Sequence, residues 1–530
     1  MLTMIKNIVM SIVVLFLLIS ISVAQSTSND SIELIATLCM GDSADYFQII
    51  EAAGDMNDDG FDDIWVVQTY GADGDTGRRK LYLFHGGNPM DTIPDMVLKD
   101  TIHNIANVGD MNLDGYDDFI IFHGNSILYY GLHYGGPEFS TIPALKFPVH
   151  NQDWINFGLQ NTICGGFDMD SDGKPDIVIG EPGPGIDFSG KAYFYSSNPV
   201  LDTVYDIEFE GDGNFPEYYD FGLEVAYLPN INGNNYLAIN YSGGLQDING
   251  RVFLFKTGAS FDNQPDYIIP PPGGIISETF GSLLENVMDI NGDGYTDFVI
   301  STLAGANAYL YFGGNSFDTL HDITITPSFE KLEGQLDINN DSYPDFIIGE
   351  QPFTGRAVIY FGGPDVDGYG DLYINIPSGV RNFGGYLKSL DDVNGDNIDD
   401  FAISGLGTES YYPGKVCVFA GYDENSTGID DSQNRVIPKG FKLYQNYPNP
   451  FNSTTNIKFD LPYKSKPEIE IIDISGKLIR KYKLGILYSG THSISWDGLD
   501  DAKQIVGSGL YLYRLKFNNI EISKKMLYIK

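Results

Sequence analysis

The chain has 530 residues and a formal net charge of -41, with 42% hydrophobic and 13% aromatic residues. So acidic a surface repels the phosphates of nucleic acids and of anionic lipids, which excludes a nucleic-acid-binding function. Glycine (61) and proline (26) are abundant and indicate many turns, so an all-β fold is favoured. With only three cysteines, disulfides are not the main stabilising element.

The first 24 residues have the three parts of an export signal. Lys6 precedes an apolar run from Ile8 to Ile21, and Ser22-Val23-Ala24 provides the small residues of a cleavage site. The run is shorter than the roughly 20 residues that span a bilayer, and no later segment is apolar enough to do so. We therefore expect residues 1–24 to be a signal peptide and the mature chain to have no transmembrane segment.

An acidic motif recurs along residues 30–420 at intervals of about 50 to 60 residues. Its copies begin at Asp55, Asp110, Asp168, Asp289, Asp337 and Asp392. The gap between the third and fourth copies is double, and midway through it the segment from Asn230 to Tyr236 keeps the shape of the motif without its acids. The chain therefore contains seven repeated units.

Each unit carries the strands of a propeller blade. The loop leads into an apolar run such as Asp176–Gly180, then an alternating aromatic segment such as Leu81–Phe84, then a short strand such as Asp206–Phe209. With the segment before the loop, each unit has four strands, which is typical of a blade. Residues 30–420 are therefore predicted to form a seven-bladed β-propeller.

The last unit is predicted to borrow a strand from the N-terminus. After Val416–Phe419 the chain becomes polar, so this blade lacks its outer strand. The segment Asp30–Ala36 resembles the outer strand Asp206–Phe209 and precedes the first unit. A blade shared between the two ends would close the ring and remove its exposed edges.

These repeats resemble the FG-GAP family, whose best-known members are the integrin α-chain heads and their bacterial relatives. Phe-Gly steps such as Phe157-Gly158 and Phe221-Gly222 precede the loops, and Gly180-Glu181-Pro182 is nearest to the Gly-Ala-Pro step of the family name. The resemblance covers about residues 30–420 and implies a propeller fold and, as a family-level expectation, a role in adhesion.

The loop motif D-x-[DN]-x-D-G-x-x-D places oxygen atoms around one point. Positions one, three, five and nine provide side-chain oxygens and position seven a backbone carbonyl, a set that suits calcium rather than zinc or copper. An EF-hand is excluded because no Glu stands at position twelve and no helices flank the loops. About six calcium ions are therefore expected. The predicted ligands are Asp55, Asn57, Asp59, Phe61 and Asp63; Asp110, Asn112, Asp114, Tyr116 and Asp118; Asp168, Asp170, Asp172, Lys174 and Asp176; Asp289, Asn291, Asp293, Tyr295 and Asp297; Asp337, Asn339, Asp341, Tyr343 and Asp345; and Asp392, Asn394, Asp396, Ile398 and Asp400.

Three loops depart from the motif. Ser342 and Asn397 replace the glycine of position six, and because Ser tolerates a left-handed backbone less well than Asn, the site at Asp337 is expected to bind most weakly. The fourth loop, around Asn232, offers only amides and is two residues short, so it is expected to hold no ion. A structural role for the ions is favoured over a catalytic or ligand-bridging one.

No catalytic motif stands out, and the protein is predicted not to be an enzyme. None of the seven histidines is spaced with Glu or another His as metal ligands are, and no G-x-S-x-G elbow is present. The segment Gly185–Ala192 approaches a phosphate-binding loop, but Ala192 replaces the required Ser or Thr. A site assembled from distant loops is the open alternative.

The C-terminal part changes composition. Residues 421–440 are polar and are predicted to be a linker, whereas residues 441–530 carry fourteen Lys and Arg against eight Asp and Glu. Alternating short strands predict a small immunoglobulin-like β-sandwich. Asn446–Phe451, Asp473–Lys477 and Lys525–Lys530 together resemble the type A sorting domain of the type IX secretion system. That resemblance implies the secretion machinery as a partner, passage through the periplasm and outer membrane, removal of the module, and release or attachment to surface lipopolysaccharide.

The sequence thus predicts a secreted or cell-surface, calcium-binding propeller that acts as an adhesion or ligand-binding module for an unknown protein or glycan. The 35 tyrosines and 33 phenylalanines leave a lectin-like, glycan-binding role as an alternative, although most such rings belong to strand cores. A polysaccharide- or peptide-degrading enzyme built on the propeller is a further alternative.

Overall fold

The computed structural model describes residues 32–39, 48–68, 80–99, 102–124, 127–150, 162–182, 190–211, 220–242, 250–274, 280–302, 307–325, 329–350, 355–407, 414–423, 442–461, 467–473, 477–484, 487, 490–501, 503–517 and 520–529. The predicted signal peptide, the Phe157-Gly158 step, the segment Gly185–Ser189 and most of the predicted linker, residues 424–440, lie outside these ranges.

Between Leu34 and Phe419 the described residues form seven antiparallel sheets, which we call blades 1 to 7. The alternation of β-branched and aromatic residues between turns explains why these segments are strands rather than helices. Blades 1 to 3 contain β2 (Gln48–Gly54), β3 (Asp63–Gln68), β4 (Lys80–Phe84) and β5 (Met96–Lys99); β6 (Ile102–Asn107), β7 (Phe119–Gly124), β8 (Leu128–His133) and β9 (Leu145–Pro148); and β10 (Ile163–Phe167), β11 (Asp176–Glu181), β12 (Lys191–Tyr195) and β13 (Ile207–Glu210).

Blades 4 to 6 repeat this order, with a short 3₁₀ turn at Pro272–Gly274. They contain β14 (Asp220–Leu228), β15 (Tyr236–Ser242), β16 (Arg251–Lys256) and β17 (Tyr267–Ile269); β18 (Phe280–Met288), β19 (Asp297–Thr302), β20 (Ala308–Tyr311) and β21 (Ile323–Ile325); and β22 (Phe329–Leu336), β23 (Asp345–Glu350), β24 (Arg356–Tyr360) and β25 (Leu372–Asn375).

Blade 7 is built from both ends of the propeller chain. Its inner strand is broken into β26 (Val380–Arg381) and β27 (Leu387–Ser389), which both pair with β28 (Phe401–Gly407), followed by β29 (Gly414–Phe419). The outer strand is β1 (Leu34–Cys39), which pairs with β29 in antiparallel register. The predicted contribution of an N-terminal strand to the last blade is therefore confirmed, although this strand lies a few residues later than Asp30–Ala36.

The first strands of the seven blades surround a common axis. Each of β2, β6, β10, β14, β18 and β22 contacts the first strand of the next blade, and β27 contacts both β22 and β2, so the ring is closed. Apolar side chains from neighbouring blades pack into shared cores, such as the one that joins β28 and β29 to β2 and β3. The architecture is an all-β propeller, as the repeats predicted.

The Phe-Gly steps have a packing reason. Gly222, with φ of +79°, follows Phe221 on β14 and lies against Gly180 of the preceding blade, where a Cβ atom would sit only 2.0 Å from the Gly222 carbonyl oxygen. Gly384 and Gly349 make the equivalent contact, at 2.3 Å. Only glycine permits this approach of neighbouring blades.

The C-terminal residues form two sheets. They contain β30 (Lys442–Leu443), β31 (Thr455–Leu461) and β34 (Gly490–Trp496) in one sheet, and β32 (Glu468–Asp473), β33 (Leu478–Lys483), β35 (Gly509–Phe517) and β36 (Ile520–Tyr528) in the other. Side chains from both sheets, including Phe459, Trp496 and Tyr513, share one core, so the sheets form a sandwich. Its immunoglobulin-like character remains a prediction. Within the described ranges, no helix combines the length and the apolar character needed to cross a membrane.

Candidate cation-binding loops

The six acidic loops occupy equivalent places in the fold. Each connects the first strand of a blade to the second, and its position nine is the first residue of that second strand in blades 1, 3, 5 and 6. In blades 2 and 7 position nine directly precedes the strand. The six loops therefore lie at one end of the ring of strands.

Side-chain oxygens accept hydrogen bonds from the backbone of their own loop. In the loop of blade 1, Asp55 Oδ1 accepts from the N–H of Asp59 at 3.0 Å, and its Oδ2 accepts from the N–H of Gly60 at 2.8 Å. Asn57 Oδ1 accepts from the same Asp59 N–H, and Asp59 Oδ1 accepts from the N–H of Phe61, both at 3.0 Å. These bonds turn the acidic side chains toward the inside of the loop.

The pattern recurs in other blades. The equivalent bonds to the position-one aspartate measure 2.8 to 3.1 Å in blades 2, 3, 5 and 6. Positions four and six both have positive φ in all six loops, from +54° to +98°. Sequence reasoning identified position six only, because position four holds Asp, Leu, Ser, Gly, Asn and Gly and shows no consensus.

The aspartates at position nine, Asp63, Asp118, Asp176, Asp297, Asp345 and Asp400, are fully buried. Each carboxylate is held from two sides: Asp63 accepts from the N–H of Met56 in its loop at 3.0 Å and from that of Gly86 beyond the third strand at 2.9 Å. Burial raises the pKa of Asp63 to about 7 and that of Asp297 to about 8, against the opposing effect of these bonds. A buried carboxylate of this kind gains from a cation close to it.

The loop of blade 3 brings three carboxylates together. Oxygen atoms of Asp168, Asp170 and Asp176 all lie within 4.8 Å of one another. This is the loop in which position three is an aspartate rather than an asparagine, and Asp170 Oδ2 also accepts from the hydroxyl of Ser196 at 2.7 Å. The structure thus brings positions one, three and nine together here.

The donor set fits calcium. Calcium binds oxygen ligands at about 2.3–2.6 Å, so oxygens on opposite sides of one ion lie roughly 5 Å apart. The separations among Asp168, Asp170 and Asp176 fall within that limit. Position seven is compatible with a role for its carbonyl alone, since the Lys174 ammonium points away to the carbonyl oxygens of Ser197, at 3.1 Å, and Pro199, at 2.5 Å.

Position seven also has a second role that the sequence did not reveal. The ring of Phe61 in blade 1 lies against Gly395, which is position four of the blade 7 loop, and Tyr343 in blade 6 lies against Gly292 in the blade 5 loop. Tyr116 of blade 2 hydrogen-bonds Asp58, position four of the blade 1 loop. In blades 1, 2 and 6, the aromatic side chain at position seven therefore contacts the loop of the preceding blade.

The sequence motif also did not lead us to predict a role for position eight. Asp62 Oδ2 accepts from the N–H of Asp392 at 3.0 Å, and the Asp62 N–H donates to the Asp392 carbonyl at the same distance. Asp399 Oδ2 accepts from the N–H of Asp337 at 2.8 Å. The signal was present in the motif, where aspartate stands at position eight in blades 1, 2 and 7.

The loops that depart from the motif differ from one another. Ser342 adopts a left-handed backbone with φ of +72° and still donates its N–H to Asp337 Oδ2 at 2.8 Å. In blade 7, the Asn394 amide donates to Asp400 Oδ1 at 3.1 Å. In the other loops with asparagine at position three, this amide donates to the aspartate at position five. Weak binding at Asp337 remains a prediction, whereas the hydrogen bonds set the blade 7 loop apart.

The fourth loop forms hydrogen bonds with the loop of blade 5. Asn230 Nδ2 donates to the carbonyl oxygen of Gly294 in the blade 5 loop at 2.7 Å, and the Thr296 N–H donates to the Asn230 carbonyl at 3.3 Å. Asn232 Oδ1 accepts from Asn234 and from the Tyr236 hydroxyl. These amides are thus engaged in protein hydrogen bonds.

Comparisons with known proteins agree with this structure. Residues 445–530 match the family described as secretion system C-terminal sorting domain, and residues 160–195 match the FG-GAP repeat. Integrin alpha-4 of Xenopus laevis is 25% identical over 223 residues, which are 41% of this chain and 21% of that protein. Integrin alpha-6 of Gallus gallus is 27% identical over 173 residues, 30% of this chain and 15% of that protein. The chain thus spans about a fifth of the length of these relatives or less.

Among solved structures, PorZ, a surface component of the type IX secretion system of Porphyromonas gingivalis, aligns with a TM-score of 0.36 and 13% identity over 90% of this chain and 59% of that one. So low a score carries no inference. The sequence matches show that this chain carries an FG-GAP repeat in a propeller similar to part of the integrin α subunits, followed by a secretion-system C-terminal sorting domain.

Proposed function

We propose that the protein is exported by the type IX secretion system and acts at the cell surface, or after release, as a calcium-loaded propeller that binds an extracellular protein ligand. Export rests on the match of residues 445–530 to a sorting domain. Calcium loading rests on the convergence of Asp168, Asp170 and Asp176 and on the equivalent position of the other five loops.

Bound calcium would be held by the side-chain oxygens of positions one, three, five and nine and by the carbonyl of position seven in each loop. The positive charge of the ion would compensate the negative charge of the buried position-nine carboxylates. Because the loops connect strands of one blade, their occupancy stabilises the ring. This role is structural, and a catalytic role is not part of the proposal.

An adhesion or ligand-binding function is favoured over a lectin-like one because the large aromatic side chains lie mainly in blade cores. Tyr195, Tyr311 and Phe209 are fully buried, whereas Tyr205 and Tyr369 are among the few exposed tyrosines in the described part of the chain. Stacking on sugars requires exposed rings.

The test is binding by the full chain, purified with calcium, to protein extracts and to a glycan array. Selective protein binding that is lost in chelator would support the proposal. Glycan binding without turnover would favour the lectin alternative, and release of products from any polymer would favour an enzyme.

A further inference from the structure

The inner strand of blade 7 is less regular than those of the other blades. It is broken into two pieces of two and three residues, whereas β14 and β18 each have nine. A short strand offers few ladder hydrogen bonds to hold it in place. This blade also joins the two ends of the propeller, since β1 and β29 pair here.

A lysine of blade 7 lies between two glutamates of the neighbouring blades. Lys388 Nζ, on β27, is 3.2 Å from Glu51 Oε1 on β2 of blade 1 and 3.2 Å from Glu333 Oε1 on β22 of blade 6. Glu333 Oε1 also accepts from the N–H of Ser389 at 3.3 Å. The side chains of Glu51 and Glu333 are only 13% and 11% exposed, so these ion pairs are shielded from water.

The residues of this ionic link occupy equivalent positions in their blades. Lys388, Glu51 and Glu333 each stand four residues before position one of their loop, and the equivalent residues of blades 2, 3 and 4 are the small Ala106, Cys164 and Ala226. The equivalent residue of blade 5 is Glu285, whose negative charge also acts on Lys388. A cavity of about 350 Å³ is lined by Cys164 and Ala226 and also by Glu285, Glu333 and Lys388. The ion pairs at this level therefore join blade 7 to blades 6 and 1, and Glu285 adds a carboxylate of blade 5 to the same charged group.

The same three blades are joined again at the acidic loops. Asp62 exchanges two hydrogen bonds with the main chain of Asp392, and it directly precedes position nine of its own loop, Asp63. Asp399 accepts from the main chain of Asp337 and directly precedes Asp400. Position one of one loop is thus bonded to position eight of the next, the residue before position nine, from blade 6 to 7 and from 7 to 1.

The other described loops lack a carboxylate bridge of this kind. Position eight is Pro175, Thr296 and Pro344 in blades 3, 5 and 6. Asp117, in blade 2, accepts from Asn107 Nδ2 of its own blade at 2.7 Å. It has the same residue type and motif position as Asp62, and its carboxylate lies against Gly54 of blade 1 without bonding the main chain of a position-one aspartate, which makes it a matched control.

We propose that blades 6, 7 and 1 form a clasp that closes the ring. Lys388 is its link at the axis, independent of calcium, and Asp62 and Asp399 couple the three acidic loops so that they take up cations cooperatively. The second part rests on the proposed calcium binding. Ordering one loop fixes the main chain of a ligand in the next, which lowers the cost of ordering that loop.

The first experiment is calorimetric calcium titration of the full chain. Asp62→Ala and Asp399→Ala should each weaken the binding of two ions by about three- to tenfold, the usual effect of one or two hydrogen bonds, with the metal content at saturating calcium unchanged. Asp117→Ala should leave the clasp loops unaffected. If Asp62→Ala and Asp117→Ala give the same titration curve, the coupling is wrong.

The second experiment measures thermal unfolding in chelator. Lys388→Met should lower the melting temperature by roughly 5 °C or more, because it leaves two shielded carboxylates without their cation. Lys256→Met, on an exposed site of β16, is the control. If Lys388→Met proves too unstable to purify, the triple variant Lys388→Met, Glu51→Gln, Glu333→Gln should recover folded protein. Unchanged melting of Lys388→Met in chelator would refute the axial link. Absence of calcium binding by the parent protein would instead refute the proposed function and the coupling of the loops, and it would leave the axial link standing.

Discussion

Leu38 of β1 lies opposite Val416 of β29, and both side chains are completely buried. The two residues stand near opposite ends of the propeller sequence, so their contact joins the ends of the ring. Without β1, the edge of β29 would be exposed and available for pairing with another chain.

Deletion of residues 30–38 should therefore open the ring. We expect a lower melting temperature and concentration-dependent association, measured by differential scanning calorimetry and light scattering. A truncated protein that stays monomeric and melts like the parent protein would contradict the closure of the ring by β1.

Two leucines of β1 offer a finer test of the same contact. Leu38→Ala should lower the free energy of unfolding by about 2–5 kcal/mol, the usual effect of truncating a buried leucine. Leu34→Ala, in the same strand but 42% exposed, should change it by no more than about 0.5 kcal/mol. Urea denaturation of both variants measures the difference, and equal effects would show that β1 does not pack as described.

Calcium should stabilise the folded protein. Because an ion binds the native loops and hardly the unfolded chain, each site should add about 2.7 kcal/mol at a calcium concentration a hundredfold above its dissociation constant. Chelation should therefore lower the melting temperature sharply. Equal melting with and without chelator, or no calcium in protein purified without chelator, would overturn the metal assignment.

Substitutions in different loops should have different effects on the number of bound calcium ions. Asp289→Ala, at position one of the blade 5 loop, should remove one calcium ion and destabilise the protein. Asn232→Ala, in the fourth loop, should leave the metal content unchanged, because that loop offers only amides. Elemental analysis of both variants decides the matter, and loss of an ion from Asn232→Ala would show that the fourth loop also binds metal.

The C-terminal module should direct export. Deletion of residues 441–530 should leave a folded propeller in the periplasm, as followed by fractionation and immunoblotting of cells. The parent protein is expected at the surface or in the medium. Normal surface levels of the truncated protein would show that the module is not needed for sorting.

The buried carboxylate of Glu285, near the axis, should make the stability of the folded protein depend on pH. Burial and the neighbouring charge of Glu333 raise the pKa of Glu285 well above its usual value. Because the folded state then holds this proton more tightly than the unfolded state, the stability it contributes is present below pH 4.5 and is lost as the pH rises through the folded pKa. Glu285→Gln should therefore raise the melting temperature at about pH 8 more than at about pH 5.

The surface variant Glu138→Gln is the control for this pH series, since its side chain is exposed. Its melting temperature should follow that of the parent protein at every pH. A Glu285→Gln protein that is destabilised equally at both ends of the pH series would show that the carboxylate is not the source of the effect.

Local patterns were sufficient to predict the repeated units. The alternation of residues in segments such as Leu81–Phe84 shows strands directly, because side chains of a strand point alternately to two faces. The acidic motif likewise showed which oxygens share a loop, since all of them lie within nine residues. Even the strand borrowed from the N-terminus could be inferred, because the last unit lacked one that the others have.

Contacts between blades could not be predicted in the same way. The bond between Asp62 and Asp392, and the position of Lys388 between Glu51 and Glu333, join residues far apart in the sequence. No local pattern specifies which of these charges meet, because that depends on how the blades pack around the axis. The sequence by itself thus determined the strands, the loops and the candidate ligand atoms within each loop, whereas only the tertiary structure decided which loops and which charges lie in contact.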